Sequence, residues 1–440
     1  MSHHLKPDTR RVRENQPRVV VTGMGALTPL GHSATDTWEN LVKGQSGIDD
    51  ITLFDARHLP VRFAGEVKEF DPHRYIARKE AKRMARCSQF SVVGAVQAME
   101  DARLAYPLEE ELAQRSGVIL GTGMGGFDKV DQGVREYLNK GLSKVSPFSL
   151  PAALPNLSAF HVCVTLNAQG YSNTTSTACA AGTVAIAEAA EVIKRGWCDV
   201  MIAGGAESAI TEMTLAGFIA MRALSTRNDN PASASRPFDA TRDGFIVGEG
   251  SAFFVLERLE YALARGARIY AEVLGSAHSS DTYRIAAPDP GSRGAIRAMV
   301  WALKDAGVGP EQVDYINAHG PSTPLGDAAE TYAIKSALGK QAYKIPISST
   351  KSMIGHSLGA AGAIEALACI KSIETGIIHP TINYNAPDPS CDLDYVPNQA
   401  RRWETNITLS NSFGLGGQNS CLVLGKYHNG TLERMAELKT

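Results

Sequence analysis

Residues Ser172-Asn173-Thr174-Thr175-Ser176-Thr177-Ala178-Cys179-Ala180-Ala181-Gly182 begin as a β-branched, polar run and end in small residues. An Ala-rich amphipathic segment follows, Thr183 to Arg195, closed by Gly196. The pattern predicts strand, sharp turn, cysteine, helix. Val200-Met201-Ile202-Ala203-Gly204-Gly205 then reads as a buried strand and completes a strand–helix–strand unit, the mark of an α/β fold. Cys179 falls at the helix N-terminus. Unpaired N–H groups and the positive end of the helix dipole there favour thiolate, the form that attacks carbonyls. The plain alternative is a small buried hydrophobe, as most free cysteines are.

Further elements extend in both directions. Val19-Val20-Val21 and Val118-Ile119-Leu120 read as buried strands, Thr35 to Lys43 as a helix, and Ala77 to Ala102 as one long helical region with a basic start. Gly250 to Glu257 is a strand leading to a helix at Leu259–Arg265. A second set begins at Ala271 to Gly275 (strand) and continues with Arg293 to Ala306 (helix) and Val313 to Asn317 (strand). Ile347 to Thr350 (strand), Gly359 to Thr375 (helix) and Ile407 to Asn411 (strand) complete it. Two successive α/β sets, each placing reactive residues after strand ends, suggest a duplicated architecture, although the sequence repeat itself is weak. The run Gly121-Thr122-Gly123-Met124-Gly125-Gly126 lacks the spacing of a dinucleotide fingerprint, so its glycines are read as allowing close backbone approach or a tight turn.

The composition excludes several classes. For a chain of 440 residues, 44% hydrophobic and 20% charged residues are ordinary values for a soluble globular enzyme. A formal net charge of −2 gives no global basic field for nucleic acid. Seven cysteines without a CxxC pair or Cys/His metal spacing read as reduced thiols in a cytoplasmic protein, with no metal. No apolar run is long enough for a membrane span. The polar, Arg-rich start reads as a disordered arm rather than a signal peptide.

Three more segments carry chemistry: Asn317-Ala318-His319-Gly320-Pro321-Ser322-Thr323-Pro324, Ser349-Thr350-Lys351-Ser352-Met353-Ile354-Gly355-His356, and Asn411-Ser412-Phe413-Gly414-Leu415-Gly416-Gly417-Gln418-Asn419. Singly, a turn histidine is usually solvated, a lysine is usually a surface charge, and a glycine loop is usually only a turn. With Cys179 they supply a thiol, two imidazoles, an ammonium and a backbone-donor loop. In this order the four segments resemble the β-ketoacyl-acyl carrier protein synthases of the synthase II type, within the thiolase superfamily. The resemblance runs from about Val19 to Gly425.

The resemblance implies a duplicated, thiolase-like fold of five layers, αβαβα. The halves would span 18–266 and 267–427, between an arm at 1–17 and a tail at 428–440. It implies decarboxylative Claisen condensation of an acyl thioester with malonyl-acyl carrier protein. Cys179 would be the acylated nucleophile, with His319, His356 and Lys351 completing the catalytic set and Glu365 supporting it. The oxyanion hole would be the N–H groups of Cys179 and Leu415. Met124, Phe218, Phe413 and Leu415 would form the acyl pocket and gate, Pro321 and Thr323 the pantetheine channel. Lys79, Lys82 and Arg83 would meet an acidic acyl carrier protein, although each singly also fits a solvated helix face. No cofactor is implied beyond the carrier's own phosphopantetheine. The expected assembly is a homodimer, or a heterodimer with a chain-length-factor-like subunit.

The chain departs from the family pattern at four places. Pro321 stands for the usual threonine, Leu415 for a phenylalanine of the loop, Gln418 for a threonine, and Arg284 for a frequent histidine. All fall at the channel or gate, which implies altered substrate or partner choice. Specialised polyketide or polyene biosynthesis is therefore weighed beside fatty-acid elongation. A degradative thiolase would need a second cysteine, and Cys421 is poorly placed for that role. A non-catalytic chain-length factor would lack Cys179.

Overall fold

The computed structural model describes residues 16–428; the expected N-terminal arm and C-terminal tail lie almost wholly outside them. Ten strands form one sheet. In chain order they are β1 Val19–Leu27, β2 Ser116–Gly121, β3 Ser172–Thr175, β4 Val200–Glu207 and β5 Gly250–Arg258, then β6 Ala271–Ser280, β7 Tyr315–Asn317, β8 Ile347–Ser348, β9 Ile407–Gly414 and β10 Gln418–Gly425. Across the sheet the order is β8-β7-β9-β10-β6-β1-β5-β4-β2-β3. Each group of five therefore repeats one pattern outward from the centre: first, fifth, fourth, second, third.

The pairing senses repeat as well. β5 is antiparallel to β1 and β4, while β4, β2 and β3 run parallel. β10 is antiparallel to β6 and β9, while β9, β7 and β8 run parallel. The duplication, weak in the sequence, is plain in the topology. β1 and β6 join the two sets through only Val20↔Glu272 and Val21↔Ala271.

Helices complete the layers. α1 Arg86–Asp101 and α2 Asn156–Leu166 cover one outer face, where Phe90, Val93 and Met99 pack with Leu120, Ile202 and Phe253. α3 Ala181–Lys194 lies in the middle with a helix of the second half, α6 Ala361–Thr375; α4 Arg293–Ala306 and α5 Pro324–Leu338 cover the other outer face. Ile186 and Ile193 of α3 share a core with Ile364, Leu367 and Ile370 of α6, and with strands of both halves. Met299 and Ile334 pack on Ile316, Leu409 and Val423 at the far side. Small residues permit this stacking: a Cβ on Gly182 would lie 2.8 Å from the Ala363 nitrogen. The result is the thiolase-like αβαβα stack.

One expected element is corrected. The region 77–102 is not one helix but a single turn, Arg78–Ala81, and then α1. The chain is extended at Ala85 (φ −69°, ψ 156°), and the Arg86 guanidinium at the start of α1 turns inward to the buried Glu249, 2.7 Å away, and to the Val67 carbonyl at 2.8 Å. Among the described residues no helix is long and apolar enough to cross a membrane.

Candidate active site

Cys179 stands in a 3-10 turn, Ala178–Ala180, between β3 and α3. Ala178 before it has φ +49°, a left-handed conformation that costs a residue with a side chain about 1–2 kcal/mol. The turn is held from the facing half. Gly414 passes so close that a Cβ there would lie 2.7 Å from the Thr177 carbonyl oxygen. The next residue in that loop, Leu415, brings its backbone N–H toward the sulfur, where it favours the thiolate.

The expected thiolate is corrected. Burial pushes the Cys179 thiol up to about 11, against the pull of the Leu415 N–H and the charge of Lys351; Glu207 and Glu365 push the same way as burial. Loss of hydration outweighs the donors, so Cys179 rests as a thiol near neutral pH.

The second half brings the basic groups. β7 and β8 are parallel neighbours, so the residues after their ends, His319 and Lys351, come together. Buried Lys351 forms an ion pair with buried Glu365. Its Nζ also donates to the His319 carbonyl at 2.6 Å and lies 3.4 Å from His319 Nδ1. A charged ammonium can only donate, so Nδ1 accepts and the ring proton resides on Nε2. Glu330 fixes the backbone beneath, accepting the His319 N–H at 2.9 Å and the Gly320 N–H at 2.7 Å.

His356 is held by its backbone: its N–H donates to Ile246 at 2.7 Å and its carbonyl accepts from Gly248 at 2.9 Å. The two imidazoles meet edge to face, centroids 5.2 Å apart. Burial first and Lys351 second hold both rings well below the ordinary histidine range, so both are neutral. Among the described residues, the buried Nδ1 of His356 has no hydrogen-bond partner.

Around this centre the other expected residues are placed unevenly. Phe413 lies against His319, centroids 5.7 Å apart, and Leu415 is 42% exposed at the loop tip. Phe218 packs edge-on against Phe245, which packs edge-on against His356, and this links the Phe218 helix Glu212–Ala220 to the site. Met124 is half-buried, and its N–H reaches Glu207 at 3.2 Å. Pro321 is buried, while the Thr323 hydroxyl is engaged as the N-cap of α5, accepting from the Gly326 N–H at 3.1 Å. Arg284 is exposed over Tyr283, in a segment tied to the loop by the Gly416 N–H donating to the Ile285 carbonyl at 2.8 Å. Gln418 begins β10 and is exposed. Lys79 and Lys82 are exposed; Arg83 pairs with Glu80 at 3.2 Å and lies over Phe148. Cys421 is buried in β10 and bonded to Asn411 at 3.1 Å, its thiol pushed well up by burial.

Sequence reasoning missed Glu207, Glu330 and Phe245. Glu207 ends an apolar strand, the one cue available; Glu330 sits within a helix and has none.

The chain matches known proteins along nearly its whole length. The model of the β-ketoacyl synthase N-terminal domain matches residues 16–262, and that of its C-terminal domain matches 270–385. A 3-oxoacyl-[acyl-carrier-protein] synthase 2 of Synechocystis sp. is 52% identical over 93% of this chain and 98% of its own. The ishigamide ketosynthase/chain length factor structure matches with TM-score 0.88 and 36% identity, over 94% of this chain and 100% of that one. A type II polyketide acyl-carrier protein in complex with its ketosynthase matches with TM-score 0.85 and 33% identity, over the same shares. With two family models matching most of the chain and a relative 52% identical over nearly its whole length, the chain belongs to the β-ketoacyl synthase family, whose members are condensing acyltransferases.

Proposed function

We propose that this chain condenses an acyl thioester with malonyl-acyl carrier protein, giving 3-oxoacyl-acyl carrier protein and CO2, with Cys179 as the acylated residue. The observation that carries the reading is the packing of the Gly414 loop on the Cys179 turn, with Phe413 of the same loop 5.7 Å from the His319 ring and His319 in turn 5.2 Å from His356. Acylation is thiol exchange: Cys179 gives up its proton and the departing phosphopantetheine sulfur gains one. A protonated resting thiol is therefore compatible with the step. Malonyl-carrier then loses CO2, and the enolate oxygen receives the Nε2–H of His319 and an N–H of His356. The enolate carbon attacks the Cys179 thioester. The Cys179 and Leu415 N–H groups take the oxyanion, each typically worth about 3–4 kcal/mol. Collapse expels the Cys179 sulfur, which recovers a proton.

Lys79, Lys82 and Arg83 form the docking face for the acidic carrier, and Pro321 with Thr323 borders the pantetheine path. The chain divides near 266/267. A homodimer is supported by the edge strand β3, flanked by exposed Phe160, Val164, Tyr171 and Trp197; such a patch on a sheet edge calls for a partner. Fatty-acid elongation is the reading that the 52% relative favours. A specialised ketosynthase paired with a chain-length-factor-like subunit is the second reading, supported by the ishigamide likeness and by Leu415 at the gate. Mass spectrometry of Cys179 after incubation with a panel of acyl carriers tests the assignment. Cys179→Ala should abolish both labelling and condensation; elongation by that variant at the wild-type rate would refute it. A native mass of one chain for the protein expressed alone would favour the second reading.

A further inference from the structure

Glu207, at the end of β4, is fully buried and has no ion pair among the described residues. Its two oxygens instead collect four donors. Oε2 accepts from the Gly123 N–H at 2.6 Å and the Gly359 N–H at 3.0 Å. Oε1 accepts from the Thr122 hydroxyl at 3.1 Å and the Met124 N–H at 3.2 Å. These donors come from two separate places. Thr122 to Met124 is the turn after β2 that presents Met124; Gly359 lies in the 3-10 turn Leu358–Ala360 that starts α6. The Cys179 turn lies beside both: a Cβ on Gly123 would be 2.8 Å from the Glu207 carboxylate and 3.8 Å from Ala178 Cα.

We propose that Glu207 is a positioning residue, whose carboxylate pins the Met124 turn and the Gly359 turn on either side of Cys179 and so holds pocket wall and nucleophile in one frame. This deepens the reading above and rests on it for the role of the pocket. The spacing allows no easy substitute. Glutamine keeps the shape but turns one oxygen into an NH2 group, which would point hydrogens at N–H donors, and one turn must then move.

The charge also acts on the sulfur. The groups facing Cys179 are Lys351, which favours thiolate, and Glu207 and Glu365, which oppose it, with the Leu415 N–H at the sulfur itself. Burial pushes the Glu207 carboxyl up to about 7, still ionised where the thiol titrates. Removing that charge lowers the thiol's midpoint.

Two measurements on Glu207→Gln in the full chain test the proposal. Iodoacetamide labelling of Cys179 against pH should shift its midpoint down by at least about half a pH unit. KM for long acyl carriers should rise roughly ten-fold relative to short ones. The labelling arm needs no substrate, so it stands even if the condensation reading fails. A fall in melting temperature with both profiles unchanged would leave Glu207 only structural and overturn the proposal, as would a variant indistinguishable from wild type. Should Glu207→Gln not fold, Thr122→Val decides by loosening only the Met124 turn. A selective rise in long-chain KM supports the proposal, and an unchanged profile overturns it.

Discussion

The turn Ala178–Ala180 and the turn Leu358–Ala360 hold the same place in their halves. Each is a 3-10 turn leading into a central helix, α3 or α6, and each has one non-glycine residue in the left-handed region, Ala178 at φ +49° and Leu358 at φ +43°. The following residue differs: Cys179 in one half, Gly359 in the other. The frame was built twice and carries a thiol once, at the proposed nucleophile. In the second half the same position is spent on close packing, since a Cβ on Gly359 would fall 2.2 Å from the Gly123 nitrogen. His319, Lys351, His356, Glu365 and Leu415 all come from the half without the thiol. The site is thus an exchange between two similar units that have specialised in opposite ways.

Gly359→Ala should break that arrangement most severely. The new methyl meets backbone rather than a mobile side chain, so the loss of stability should be at or above the upper end of the ~1–3 kcal/mol usual for overpacking, and activity should go with it. A melting curve and a turnover measurement check both; an unchanged melting curve would mean that the turns can separate freely. Replacing His319 or His356 by alanine should cost condensation at least about 10²-fold while leaving acylation of Cys179 in place. Malonyl-carrier decarboxylation, followed as CO2 release, should fall with it, and normal decarboxylation by both variants would remove the division of labour between the halves.

Leu415→Phe sharpens the comparison at the loop. An aromatic plane in that position should close the pocket more tightly and lower kcat/KM for long or rigid acyl carriers selectively. Identical preference profiles for the two proteins would take the gate out of specificity. The smallest expected effect is electrostatic. Reversing Lys79 and Lys82 to glutamate should raise KM for carrier-bound substrate at low salt, and the difference should shrink as salt is added. A KM that stays put at low ionic strength would move the docking face elsewhere.

Local chemistry decided what could be read in advance. The α4 span Arg293–Ala306 and the strand–turn–helix around Cys179 follow from periodicity and breakers within a few residues. The segments around His319, Lys351 and His356 were legible because their residue types are unusual together. The interruption at 82–85 was not, since the contacts of the helix that follows, such as Arg86 with Glu249, lie far away in sequence. The protonated state of Cys179 was also hidden: helix-start geometry is local, but desolvation depends on the second half packing over the first. Glu207 and Glu330 were invisible for the same reason, as their meaning lies in which backbone N–H groups arrive beside them.

The shared core between α3 and α6 has a consequence for synthesis. Ile186 and Ile193 are covered by residues around Ile364 to Ile370, which leave the ribosome much later. At about 5–20 residues per second, the nascent first half waits on the order of ten seconds or more with its central helix uncovered. The Leu415 N–H arrives later still, after nearly every other strand has been made. During translation Cys179 is therefore an ordinary cysteine on an unfinished surface, and its surroundings are complete only once the loop at Gly414 and Leu415 has been made.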